Sequence, residues 1–253
     1  MCYKKKDGSA APQEQENETI VMAKTEDKGP IITDVTLREF GQNVPAAYLH
    51  LFTPSIRVKI AHGLMAAGFK NMEILSCVHP QIAPAMEEGA LRQIASMLGR
   101  VSGLNLITLV PNKAGYRRFL ALNLGPEGYD HTLGIFFSAV EAHNLANLRC
   151  TIEEAVETNR SIVKDASSRG IRVVAYISAV FGYFDVETET LIEADLERVS
   201  RYTDLFFDLG AHTVTYSDLQ GVAGPPETRR ILETLLEKRK GPVSYTHLTL
   251  PTN

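Results

Sequence analysis

From residue 31 onward, short apolar runs alternate with longer amphipathic stretches. The runs cover residues 31–37, 71–77, 104–110, 131–137, 172–178 and 213–217, and each has the length and bounding of a buried strand. Between them lie stretches 54–68, 80–98, 113–124, 151–169, 189–209 and 226–240, which predict helices. In the fourth of these, Ile152, Ala155, Val156, Ile162, Val163 and Ala166 recur near helical period. Thr151 and Glu154 match a capping box, in which each side chain satisfies a backbone donor of the other. Gly170 stands where a left-handed C-terminal residue is favoured, and Pro226 opens the last stretch.

Six strand–helix units in a row imply parallel strands joined by crossover helices. A doubly wound sheet and a barrel both satisfy that pattern. No glycine-rich fingerprint follows the first strand, which weakens a dinucleotide-binding sheet. At roughly 35 residues per unit, eight units would need about 280, the usual span of a complete barrel. The expected fold is therefore α/β, a TIM (β/α)8 barrel over residues 31–242 with about six of its eight units present. Residues 1–30 are rich in Lys, Glu, Gln, Asn and Ala and predict a flexible leader, with a short docked helix as the alternative. Residues 243–253 are expected to be a non-native read-through or assembly tail, the alternative being a short terminal strand.

Composition narrows the partners. A net charge of −4 gives no reason to expect nucleic acid or an anionic membrane. Cys2, Cys77 and Cys150 show neither zinc spacing nor a disulfide framework, so a reducing, cytoplasmic setting is expected. No apolar run approaches the ~18–20 residues that cross a bilayer, and Met1 to Lys6 do not lead into a secretory core. Assembly as a homo-oligomer is left open.

In a barrel, chemistry collects where strands end. Here the first run ends in Asp34 to Glu39 and is followed by Gln42; the second carries Glu73 and exits through Cys77 and His79. Asn112 follows the third, Glu141 and His143 the fourth, Tyr176 ends the fifth, and Thr215 and Asp218 belong to the sixth. Each has a plain structural reading: Arg38–Glu39 as a rim ion pair, Glu73 as a paired core carboxylate, Asp218 as a turn cap. A buried carboxylate is costly unless paired, hydrogen-bonded or metal-bound, so three acids at three strand ends point further. With Arg38 beside them they suit a divalent cation and an anionic, oxygen-rich substrate. His79 and His143 are expected in surface loops, His212 at the opposite end of the barrel, and Cys77 as a small buried residue rather than a nucleophile.

Thr36 to Asn43 resembles the Arg-Asp/Glu-Gly-x-Gln signature of the DRE-TIM metallolyases. Met72 to Ser76 with Val78 and Pro80, Leu109 to Gly115, Ser138 to Glu141 with Asn147 and Cys150 to Glu154, and Asp218 to Gly221 with Pro225 are similar to the hydroxymethylglutaryl-CoA lyase branch, in unbroken order. The resemblance implies Glu39 as a ligand of Mg²⁺ or Mn²⁺ and Arg38 as the stabiliser of a developing enolate. It implies Glu73 and Asp218 in the proton-transfer network, and Gln42, Asn112, Tyr176 and Thr215 around the substrate, an acyl-CoA or a hydroxy or oxo acid. The implied reaction is C–C cleavage of a hydroxy-acyl thioester; a Claisen-type synthase or carboxyltransferase and a non-catalytic fragment are the alternatives. Phe40-Gly41 departs from the family's Gly-x, Leu219 from its Thr, and residues 182–185 lack its proline. The family's later His-x-His pair, Asn and Cys have no counterpart, so the chain is expected to be truncated after about Pro242 and inactive as it stands.

Overall fold

In the computed structural model the chain divides into two compact units, Met1–Ile31 and Ile32–Asn253. The residues described are 31–237 and the backbone of strand Thr246–Leu248. The expected leader, and all of the expected tail but that strand, therefore lie outside the described residues.

In the second unit the elements run β1 (Thr33–Asp34), α1 (Thr36–Asn43), α2 (Pro54–Ala66), β2 (Asn71–Ser76), α3 (Glu88–Leu98), β3 (Asn105–Leu109), α4 (Lys113–Ala121), β4 (Thr132–Ser138), α5 (Glu141–Leu148), α6 (Ile152–Ser168), β5 (Val173–Ser178), β6 (Tyr183–Asp185), β7 (Thr190–Ile192), α7 (Leu196–Asp208), β8 (Thr213–Asp218), α8 (Pro225–Leu236) and β9 (Thr246–Leu248). One sheet takes the order β1-β2-β3-β4-β5-β8-β9, every neighbouring pair parallel. Chain order equals spatial order, the mark of a winding barrel rather than a doubly wound sheet, whose order reverses at a switch point. Six βα units are present as expected, in a half-barrel, with β9 pairing Thr246–Leu248 to Tyr216–Asp218.

The helices pack on the outer face. Met72, Ile74, Leu133, Ile135, Phe137, Val173, Ala175, Ile177 and Val214 are buried against apolar faces such as Ile152, Val156, Ile162 and Val163 of α6. Both halves of the Thr151–Glu154 capping box form. The chain leaves α6 through Gly170 at φ 68°.

Four expectations need correction. The first strand is not residues 31–37: it ends at Asp34, whose carboxylate accepts from the Thr36 amide at 3.1 Å and hydroxyl at 3.0 Å, and this turn starts α1. The stretch 80–98 is α-helical only from Glu88, after a 3₁₀ turn at Pro84–Met86, because Pro80 and Pro84 lack donors and Glu87 caps the helix through the Gly89 and Ala90 amides. The stretch 189–209 begins with β7, which pairs antiparallel with β6 before it, and α7 starts only after the Asp195 cap. Finally, Glu141 to Leu148 form a helix, not a loop, braced by buried Asn144, which bridges the Ser138 amide and the Cys150 carbonyl.

Candidate active site

The Asp34 turn decides the geometry, because it puts Arg38, Glu39, Gln42 and Asn43 on a helix. Residues four apart share a helix face. Arg38 Nη1 reaches Gln42 Oε1 at 3.5 Å, and Asn43 Nδ2 donates to Glu39 Oε1 at 3.1 Å. Gly41 takes the inward side, where a Cβ would strike the Met86 methyl; Phe40 packs edge-on against Phe52 at 4.9 Å. The Phe40-Gly41 departure is thus a packing solution that keeps Gln42 in phase with Arg38.

Arg38 extends over β2, where its Nε donates to Glu73 Oε2 at 2.6 Å and its Nη1 to Glu39. Glu73 is 2% exposed, Arg38 15% and Glu39 41%. The guanidinium is therefore locked from below by a buried acid and flanked by a half-open one. Burial alone would lower its pKa; Glu73, then Glu39 and Tyr176, outweigh burial and hold it above the ordinary value. Nη2 makes no hydrogen bond among the described residues.

Tyr176 couples to that charge from β5, and its ring lies over Gly134, whose missing Cβ would sit 3.2 Å from it. Thr215 is the register partner of Tyr176 on β8, and its buried Oγ1 has no partner among the described residues. Arg38, Glu39, Gln42, Glu73, Tyr176 and Thr215 are thus assembled across the sheet.

Asn112 and Asp218 are engaged differently. Asn112 caps α4 through the Gly115 amide at 3.0 Å and lines a cleft of about 310 Å³ with Cys77, Val78, His79, Pro80 and Arg118. Asp218 is fully buried, and its two oxygens accept from the Val222 and Ala223 amides at 3.0 Å each. Cys77 is buried, which pushes its thiol up to about 12, so it stays protonated at neutral pH. His79 is exposed, its Nδ1 accepting from the Gln81 amide, and His212 is exposed beside the start of β8. His143 sits in the first turn of α5, half-buried against Tyr183 rather than in a surface loop. Asn43, Gly134 and the hairpin contacts were not anticipated; Asn43 alone carried a signal, its four-residue spacing from Glu39.

A larger cleft of about 500 Å³ opens at the N-terminal ends of β2 and β3, lined by Lys70, Arg100, Asp130 and Arg172. There Arg100 and Arg172 are already held by Asp130 and by backbone carbonyls, an end of the barrel that serves stability. Among the described residues no group of three His, Cys, Asp or Glu side chains could hold a metal ion. Glu39 and Glu73 both face Arg38, so the described residues do not by themselves fit a divalent cation. No described helix is long and apolar enough to cross a membrane.

The HMGL-like family model matches residues 29–247. The chain belongs to the HMGL-like family. Hydroxymethylglutaryl-CoA lyase YngG of Bacillus subtilis is 27% identical over 214 residues, covering 83% of this chain and 66% of that protein. The (R)-citramalyl-CoA lyase of Chloroflexus aurantiacus is 29% identical over 223 residues, covering 82% and 63%. The crystal structure of the Bacillus subtilis HMG-CoA lyase superposes with a TM-score of 0.69 at 26% identity, covering 83% of this chain and 65% of that one. This HMGL-like chain thus spans two thirds or less of the length of these relatives, which fits six barrel units out of eight.

Proposed function

We propose that this chain carries the enolate-stabilising half of a lyase site that cleaves a 3-hydroxy-3-methylglutaryl-CoA-like thioester to acetyl-CoA and a keto acid. One observation carries the reading: a permanently charged guanidinium, fixed by Glu73 at 2.6 Å, with Nη2 unengaged among the described residues. In the cleavage the substrate hydroxyl gives up its proton and becomes the ketone of the keto acid. The C–C bonding pair moves onto the carbon α to the thioester carbonyl, and the carbonyl oxygen becomes the anionic oxygen of an enolate that a proton then converts to acetyl-CoA. A preorganised cation at that oxygen acts mainly in the transition state. Gln42, Tyr176 and Thr215 orient the acid end of the substrate; Glu73 and Asp218 belong to the surrounding proton network, and Asn112 to the cleft where the thioester arm would enter. Glu39 is the candidate ligand for Mg²⁺ or Mn²⁺; one half-open carboxylate is not a site, and the roles above stand on the chain's own groups. A cytoplasmic location belongs to the same reading.

The test is acetoacetate release from hydroxymethylglutaryl-CoA by the product of the intact gene, with Mg²⁺, with Mn²⁺ and with neither, run beside citramalyl-CoA. Release from either thioester supports the lyase. Silence on both, together with acetyl-CoA-dependent condensation onto an oxo acid, would replace it with a synthase.

A further inference from the structure

The segment leaving β5 has a feature the proposed chemistry does not use. Strand β6 pairs with β7 on one edge, and on the other it meets the side chain of Gln220. The Phe184 amide donates to Gln220 Oε1 at 2.7 Å, and Gln220 Nε2 donates to the Phe184 carbonyl at 3.1 Å. A carboxamide offering an acceptor and a donor side by side presents what a residue of a neighbouring strand would present.

Two further contacts seat the hairpin. The Tyr183 ring centroid lies 5.1 Å from that of His143 on α5. Gly182, at φ 120°, is packed so tightly that a Cβ there would meet Leu191 at 3.1 Å, the Ile192 carbonyl at 3.5 Å and Val222 at 3.6 Å. Gln220 itself stands on the short loop that Asp218 folds by accepting from Val222 and Ala223. The hairpin, itself the exit from β5, therefore touches the first turn of α5 after β4 and the loop after β8, all on the rim where barrel active sites form.

We propose that Gln220 is a positioning residue: its carboxamide clasps the β6–β7 hairpin to the Asp218 loop and so sets one wall of the mouth of the proposed site. The role of the wall rests on the proposed function; the clasp does not. Length and chemistry are both required. Glutamate keeps the length but turns an acceptor onto the Phe184 carbonyl, and alanine removes both partners.

Hydrogen–deuterium exchange on the purified protein separates these statements. In Gln220→Ala and in the isosteric Gln220→Glu, exchange across residues 183–192 is expected to rise at least about tenfold, while β4 and β5 keep their protection. Unchanged exchange in both variants overturns the clasp. With hydroxymethylglutaryl-CoA as substrate, KM is expected to rise about fivefold or more with kcat held within about twofold. Loosened exchange with KM unmoved overturns the wall. The kinetic arm uses the product of the intact gene; if that protein, unsubstituted, does not turn over the thioester while exchange responds as stated, the clasp is supported and the proposed reaction is what fails.

Discussion

Two arginines of one small region of the fold, the part-buried Arg38 and the fully buried Arg57, are held in opposite ways. Arg38, on α1, meets Glu73 and Glu39, and those carboxylates hold its charge more firmly than water would. Arg57, on α2, is 1% exposed and makes no ion pair among the described residues. It donates to the carbonyl of Ala85 at 2.7 Å and of Ile74 at 3.4 Å, touches Met86 Sδ, and lies over the Phe52 ring at 5.1 Å. Burial without an acid lowers its pKa to about 10, and its Nε is left unpartnered among the described residues. An arginine that only tethers backbone needs carbonyls. An arginine held between a buried acid and a half-open one, and 15% exposed, is arranged to meet something else.

The sharpest way to break this contrast is Arg38→Met. It should strand a buried carboxylate and cost about 3–5 kcal/mol of stability, read by urea unfolding. Turnover should fall on the order of 10²–10³-fold. Adding Glu73→Leu should restore most of the stability and none of the turnover; recovery of turnover would remove Arg38 from the chemistry.

His131 extends the comparison to a buried base kept neutral. It is 1% exposed, Nδ1 lies 2.8 Å from Thr108 Oγ1, and burial lowers its pKa to about 3. Above pH 6.5 both folded and unfolded histidine are neutral, so its contribution is constant. As pH falls from 6.5 towards 3 the unfolded chain binds a proton the folded one refuses, and stability is lost. Between pH 7 and 4.5 this amounts to about 2–3 kcal/mol. His131→Asn should flatten that acid limb in urea titrations; an unchanged limb would count against the buried neutral ring.

Arg57→Met should cost less, about 1–2 kcal/mol, because lost carbonyl bonds are partly offset by removing a buried charge. Turnover per folded molecule should not change, and a loss of kcat would end the distinction between the two arginines. Smallest of all, Arg92→Ala on α3 removes an exposed pair with Glu88 at 3.0 Å and should shift stability by under about 0.5 kcal/mol in the same assay.

The strand–helix rhythm was legible because it is written locally: apolar spacing, the Thr151 cap and Gly170 each act within a few residues. The signature around Arg38 was legible too, as a motif, but not as a helix. Ile31, Ile32, Val35 and Leu37 look like strand, and only the Asp34–Thr36 hydrogen bonds end it. What escaped was long-range. Arg38 finds Glu73 across 35 positions and Arg57 finds Ala85 across 28, and no periodicity encodes either meeting. The hairpin was missed because β6 falls in the gap before residue 189 and the helical spacing of 189–209 hides the three-residue β7. Asn112 and Asp218 show how one residue type serves two readings, since the hydrogen bonds that cap a turn also fix its position on the rim.

The segment between β2 and α3 is also tied from its far side, where Arg118 of α4 donates to the carbonyls of Val78 at 2.8 Å and Met86 at 2.6 Å. Together with Arg57 it anchors four carbonyls spread from Ile74 to Met86 to two different helices. The conformational freedom of this stretch is therefore surrendered when the chain folds. A ligand entering the cleft beside Cys77 and His79 meets a preformed edge, and little of its binding free energy is spent on ordering that edge.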